Sequence, residues 1–156
     1  MILRKILTHS QFFFYRKQLI PPVVNFIRYK SSEVEKAQTA SKDKQKTTVF
    51  DKIISKEIPA DIIYEDDKCL AFNDVNPQAP VHFLVIPKQR IPMLDAIKED
   101  DRDIMAELIV RAQKLAKERL PNGYRLVINN GKQGCQSVYH LHIHILGGRQ
   151  LGWPPG

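Results

Sequence analysis

The sequence predicts an α+β domain over residues 48–156, a five-stranded antiparallel sheet with one long and one short helix. Three observations predict it. A single long stripe of helical period runs through Ile104, Met105, Leu108, Ile109, Ala112, Leu115 and Ala116. Five short apolar runs, joined mostly by turn residues, occupy the remainder of that span. The composition also shifts at residue 48: the formal charge of +7 lies ahead of it, and residues 48–156 carry equal numbers of basic and acidic side chains.

Ahead of the domain, residues 1–32 contain Arg4, Lys5, Arg16, Lys17, Arg28 and Lys30, no acid, and interleaved Ile, Leu, Phe and Tyr. This is transit-peptide composition, and it predicts a mitochondrial destination with the matrix as the expected compartment. A disordered basic tail, or a surface anchor using Phe12, Phe13 and Phe14, is the alternative. Residues 33–47, rich in Lys, Gln, Thr and Ser, are expected to form a flexible linker. The neutral body argues against nucleic acid as a partner, because phosphate-backbone binding relies on clustered Lys and Arg. No run reaches the ~18 apolar residues of a spanning helix, so stable membrane insertion is not expected. Cys69 and Cys135 are too few for a disulfide framework or a four-cysteine zinc site.

Within the domain, Thr48 and Asp51 have the spacing of a variant capping box, opening a short helix through Ile53 and Ile54 that stops before Pro59. Residues 62–64 and 69–72 read as strands about the acidic turn Glu65-Asp66-Asp67. Residues 81–86 form a third strand, closed by Pro87. The long helix follows, with Asp100, Asp101 and Asp103 near its positive N-terminal end and Pro121-Asn122-Gly123 stopping it. Residues 124–129 and 137–146 complete the five strands, and the helix is expected to cover one face of the sheet. So small a body buries a modest core, which makes a dimer unsurprising.

The chemistry is concentrated in the last strand. There His140, His142 and His144 alternate with Tyr139, Leu141, Ile143 and Ile145. All three imidazoles are therefore expected to face one way, ~6.6 Å apart along the strand, while the apolar side chains enter the core. Four readings fit the triplet. A metal site would need further ligands and ordered partners, which the neighbouring sequence does not supply. A solvated histidine face, nucleophilic catalysis on phosphorus, and nucleotide binding without turnover are the others. The loop from Asn129 to Ser137 favours the two phosphate-centred readings, because Gly131 and Gly134 permit a backbone whose N–H groups converge on an anion. It lacks the Walker A order.

The run His140-Leu141-His142-Ile143-His144-Ile145-Leu146 has the form of the histidine-triad (HIT) superfamily. Gly147-Gly148-Arg149, the terminal Trp153-Pro154-Pro155-Gly156, Asn73-Asp74 with Pro77-Gln78-Ala79-Pro80, and the strand from Val81 to Lys88 resemble its Hint branch, the histidine-triad nucleotide-binding proteins. The resemblance spans residues 48–156, and the transit-like arm makes the chain look most like a mitochondrial member of that branch. It implies a homodimer in which two five-stranded sheets join into a ten-stranded one. It implies a metal-independent hydrolase without cofactor: a purine nucleoside phosphoramidase that cleaves the P–N bond of AMP or GMP phosphoramidates. A nucleotide-binding regulatory protein without turnover is the alternative.

By the same resemblance His142 would be the nucleophile, forming a covalent nucleotidyl-histidine, and His144 would contact the phosphate. His140 and Ser137 would support nucleophile and leaving group. Asp74 would bind the ribose, with Val75 adjoining, and Asn129, Cys135 and Gln136 would contact the phosphate beside Ser137. Val49, Phe50, Ile53, Ile58, Phe72 and Leu84 would form the purine pocket. His82 stands either behind the triad as a partner or in the core as a satisfied structural histidine. Asp74 could equally cap its own loop. The chemistry is sound on its own terms: neutral imidazole is a competent nucleophile near neutral pH, and a serine hydroxyl with nearby imidazoles can protonate a leaving amine. Two residues depart from the pattern. Asn73 stands where histidine is common, and Cys135 where glycine or alanine is usual.

Overall fold

A computed structural model describes residues 32–40 and 47–155; residues 1–31 of the expected transit peptide and residues 41–46 of the expected linker lie outside the described residues. Thr48 opens the domain because two orphan N–H groups meet two oxygens. Its hydroxyl accepts the Asp51 N–H at 3.2 Å, and the Asp51 carboxylate accepts the Thr48 N–H at 2.6 Å. The resulting short helix, α2 (Val49–Ile54), buries Phe50 and Ile53. Strands β1 (Ile62–Glu65) and β2 (Cys69–Asn73) follow. The turn between them closes because the Asp66 carboxylate accepts the N–H groups of Lys68 and Cys69 at 2.9 and 2.7 Å. Strand β3 (Val81–Pro87), helix α3 (Arg102–Arg119), and strands β4 (Tyr124–Val127) and β5 (Ile143–Gly147) complete the domain. All pairings are antiparallel and the order is β1-β2-β3-β5-β4.

The pleat sorts side chains to two faces. Cys69, Ala71, Phe83, Val85, Ile143 and Ile145 pack against Leu108, Ala112, Leu115 and Ala116 of α3. On the opposite face Leu70, Phe72, Leu84 and Ile86 meet Phe50 and Ile53 of α2. The sheet is thus covered on both faces, where the sequence predicts one. Because α2 has only 6 residues, it roofs part of its face and leaves a cavity beside it. Strand β5 reaches the end of α3 so closely that a Cβ on Gly147 would lie 2.7 Å from Leu120 Cδ2.

Three further expectations change. Strand β5 starts at Ile143, not at residue 137, so His140 and His142 precede the strand. The pairing with β3 stops at Val85↔Ile143, and beyond it lies Pro87, which has no N–H to extend a ladder. The chain turns aside there: Leu141 N–H bonds the Ile91 carbonyl at 2.6 Å and the Pro87 carbonyl takes the His140 ring at 2.8 Å. The segment read as a flexible linker contains a helix, α1 (Ser32–Thr39), whose Ala37 is buried. Ile109, expected on the buried stripe, is exposed beside Val110.

Candidate active site

The cavity beside α2 has a volume of about 820 Å³, the size of a drug-like or nucleotide ligand site. Val49, Phe50, Ile53, Ile58, Phe72 and Leu84 line its apolar end. Asp74, Val75, Asn129, Cys135, Ser137, His82, His142 and His144 line it as well. Residues far apart in sequence meet here because the register sets Leu84 against both Phe72 and His144. Of the residues singled out in the sequence, two do not reach the cavity wall. His140 is fully buried beneath Phe50, ring centroids 6.1 Å apart. Gln136 is spent on the loop itself: its amide donates to the Pro92 and Val138 carbonyls at 2.8 and 3.1 Å and accepts Gly131 N–H at 2.9 Å. Its side chain is a strut for the loop, so any phosphate contact at this position falls to the backbone.

His142 is buried and oriented by its own backbone. A carbonyl only accepts, so the 2.7 Å contact with the His140 carbonyl puts the proton of a neutral His142 on Nδ1 and leaves a lone pair on Nε2. Burial is the main cause that holds its pKa below the usual histidine range, and the hydrogen bond only partly offsets it. Phe50 stands edge-on to its ring at 5.3 Å, and His144 does so at 4.9 Å. His144 is pushed down to about 3, by burial first and then by His142 and His82. His140, also lowered chiefly by burial, donates Nε2–H to Pro87 and turns Nδ1 toward Asp51 at 3.4 Å. Burial disfavours the charged form of all three rings.

The loop ahead of the triad is shaped by backbone approach. Gly131 has φ +68°, and a Cβ on Gly134 would lie 2.5 Å from the Asn130 carbonyl oxygen. Cys135, with φ +62°, holds a left-handed conformation that suits glycine better. Asn129 donates to the Cys135 carbonyl at 3.3 Å. Asp74 divides its oxygens: Oδ1 accepts Asn76 N–H at 2.8 Å in an Asx turn, while Oδ2 lies 3.5 Å from His82 Nε2.

Two groups escaped sequence reasoning. Asp51 is one: its carboxylate caps α2, takes Arg90 at 2.8 Å and faces His140. Burial alone would raise its pKa, but Thr48 and Arg90 hold it below the usual range. Glu33 is the second, reaching in from α1 to accept the Ser137 hydroxyl at 2.8 Å. His82, expected either behind the triad as a partner or in the core as a structural histidine, sets its Nε2 2.9 Å from His144 Nδ1. Capping spacing flagged Asp51 as a structural residue only; nothing local pointed to Glu33.

Residues 55–151 match the HIT domain family. The chain belongs to the histidine-triad family. Within it the chain is of the Hint type. It is similar to the adenylylsulfatase HINT1 of Arabidopsis thaliana, 53% identical over 129 residues, covering 81% of this chain and 87% of that protein. It is similar to a 14 kDa zinc-binding protein of Zea mays, also 53% identical over 129 residues, covering 81% of this chain and 99% of that one. Among solved structures it resembles a HIT family hydrolase from Legionella pneumophila Philadelphia 1, with 47% identity, a TM-score of 0.69, and coverage of 70% of this chain and 100% of the other.

The name of the maize relative raises the question of a metal. Among the described residues, Asp74, His82 and His144 bring ligand atoms within 4.8 Å of one another. They do not suit a cation. The Gln78 backbone N–H donates to His82 Nδ1 at 3.2 Å, so a neutral His82 carries its proton on Nε2, the atom a metal would require bare. What the family membership supports is a nucleotide-binding hydrolase. Among the described residues, no helix is long and apolar enough to cross a membrane.

Proposed function

We propose that this chain is a purine nucleoside phosphoramidase working through a nucleotidyl-His142 intermediate. The observation that carries it is the bond from His142 Nδ1–H to the His140 carbonyl, which leaves a neutral, buried Nε2 lone pair at the wall of a nucleotide-sized cavity. In the first step Nε2 bonds to the phosphorus of an AMP or GMP phosphoramidate as the P–N bond breaks, and the amine departs with a proton. Ser137, which lines the cavity, is the group suited to deliver it once its hydroxyl turns from Glu33 to the leaving nitrogen. In the second step water attacks phosphorus, the His142–P bond breaks and AMP leaves, and the proton released by the water restores the Ser137 hydroxyl. His144 and the loop from Asn129 to Ser137 offer donors to the phosphate oxygens. Asp74 and Val75 face the ribose, and the apolar end around Phe50 and Phe72 takes the purine.

Two further readings support this one. The exposed Ile109 and Val110 of α3, with β4 at the edge of the sheet, support a homodimer that continues the sheet across its two-fold axis. The basic, acid-free residues 1–32 support delivery to mitochondria.

The test is AMP release from adenosine 5′-phosphoramidate by the full chain after chelation, beside His142→Ala. Turnover that survives chelation and vanishes in the variant is expected. Reversible AMP binding without turnover would instead favour a regulatory nucleotide binder. Adenylyl sulfate, assayed alongside, asks whether a sulfate leaving group is accepted in the same attack.

A further inference from the structure

We infer that His82 is a positioning residue that fixes the tautomer of His144, so that the cavity receives an N–H donor from His144 Nε2 and not a lone pair. Its consequence for catalysis rests on the phosphoramidase reading; the tautomer itself does not. The chain of donors starts at the backbone. The Gln78 amide can only donate, and it points at His82 Nδ1 at 3.2 Å. A neutral His82 must then carry its single proton on Nε2. That proton faces His144 Nδ1 at 2.9 Å. His144 therefore accepts on Nδ1 and, being neutral, carries its own proton on Nε2.

Burial keeps both rings uncharged, so only one nitrogen of each can donate. Among the described residues, His144 Nε2 is buried without a hydrogen-bond partner, on a side chain that lines the cavity 4.9 Å from the His142 ring. An unpartnered buried donor beside a nucleophile is the arrangement that meets charge developing on a substrate oxygen. The reason the lock is needed is Asp74. Its Oδ2 lies 4.0 Å from His144 Nδ1 and 3.5 Å from His82 Nε2. Were the His82 donor absent, this carboxylate would be the nearest acceptor and would draw the His144 proton to Nδ1, turning a bare lone pair toward the phosphate.

Long-range ¹H–¹⁵N correlation spectra of the ¹⁵N-histidine-labelled full chain read each tautomer directly, because the protonated and bare ring nitrogens resonate far apart. In the wild type, His82 and His144 are both expected protonated on Nε2. In His82→Phe, which keeps a planar ring and removes the donor, His144 is expected to move its proton to Nδ1. The kcat on adenosine 5′-phosphoramidate should then fall about 10- to 100-fold while KM changes less than about threefold. His82→Gln, whose amide can donate from the same position, should restore both. A wild-type His144 protonated on Nδ1, or an unchanged tautomer in His82→Phe, overturns the inference. If the Phe variant does not fold, the wild-type and Gln spectra decide it. A wild type with the expected tautomers and no turnover would sink the phosphoramidase reading and leave this assignment standing.

Discussion

Lowering the pH from 7 to 5 is expected to weaken the fold through its buried histidines, and His144 allows the size of the effect to be worked out. Burial first, then the neighbouring His142 and His82 rings, push its pKa down to about 3 in the folded chain. In the unfolded chain it returns to ~6.5. The folded value is the lower one, so below ~6.5 the unfolded state binds the proton first. Stability from this group is complete above that value and drains away as the pH falls toward 3. At pH 5, ~1.5 units below the unfolded value, the loss is about 2 kcal/mol at ~1.4 kcal/mol per unit. The lowered values of His82, His140 and His142 act with the same sign. Urea unfolding at both pH values, for the wild type and for His144→Gln, isolates the one group. The wild type should lose about 2 kcal/mol more than the variant. Equal losses would refute the reasoning, since His144 would then titrate alike in folded and unfolded chains.

Three substitutions extend the account. Phe50→Ala removes a ring that stands 5.5 Å from Phe72 and 5.3 Å from His142. Urea unfolding should show a loss of about 3 kcal/mol, and calorimetric AMP binding should weaken with it. Glu33→Ala withdraws a carboxylate that occupies the Ser137 hydroxyl and sets negative charge where a phosphate would sit. KM for the phosphoramidate should fall about three- to tenfold, worth about 0.7–1.4 kcal/mol; a rise would contradict that placement. Cys135→Gly relieves the left-handed backbone at φ +62°. Its cost of about 1–2 kcal/mol, less the chain entropy of glycine at about 0.5–1 kcal/mol, leaves a net gain of up to about 1.5 kcal/mol, read as a raised Tm.

Much of the domain was legible because its signals are local. The Thr48–Asp51 spacing announced α2, the period of 3.6 announced α3, and all five strands lie within or near their expected runs. The apolar residues matched to the purine pocket do line the cavity. What failed depended on partners far away in the chain. The last strand was read too long because its limit comes from Pro87 on β3, not from its own residues. The structural duty of the Gln136 side chain went unread, because its amide bonds the Pro92 carbonyl, 44 residues away. The second covered face went unread, because a helix of 6 residues gives little periodicity. The choice between the two readings of His82 also waited on the fold, because the β3–β5 register is what sets it beside His144, 62 residues away. Glu33 lies in a segment whose composition suggests a linker, so its contact with Ser137 had no local sign.

The central claim is that Nε2 of His142 forms a bond to phosphorus. Rapid acid- or base-quench of the full chain mixed with adenosine 5′-phosphoramidate, followed by peptide mass mapping, tests it most directly. An adenylyl group on the peptide carrying His142, formed and lost at rates that match turnover and absent from His142→Ala, is the expected result. Steady turnover with no adduct at any time, or full turnover by His142→Ala, would contradict the account.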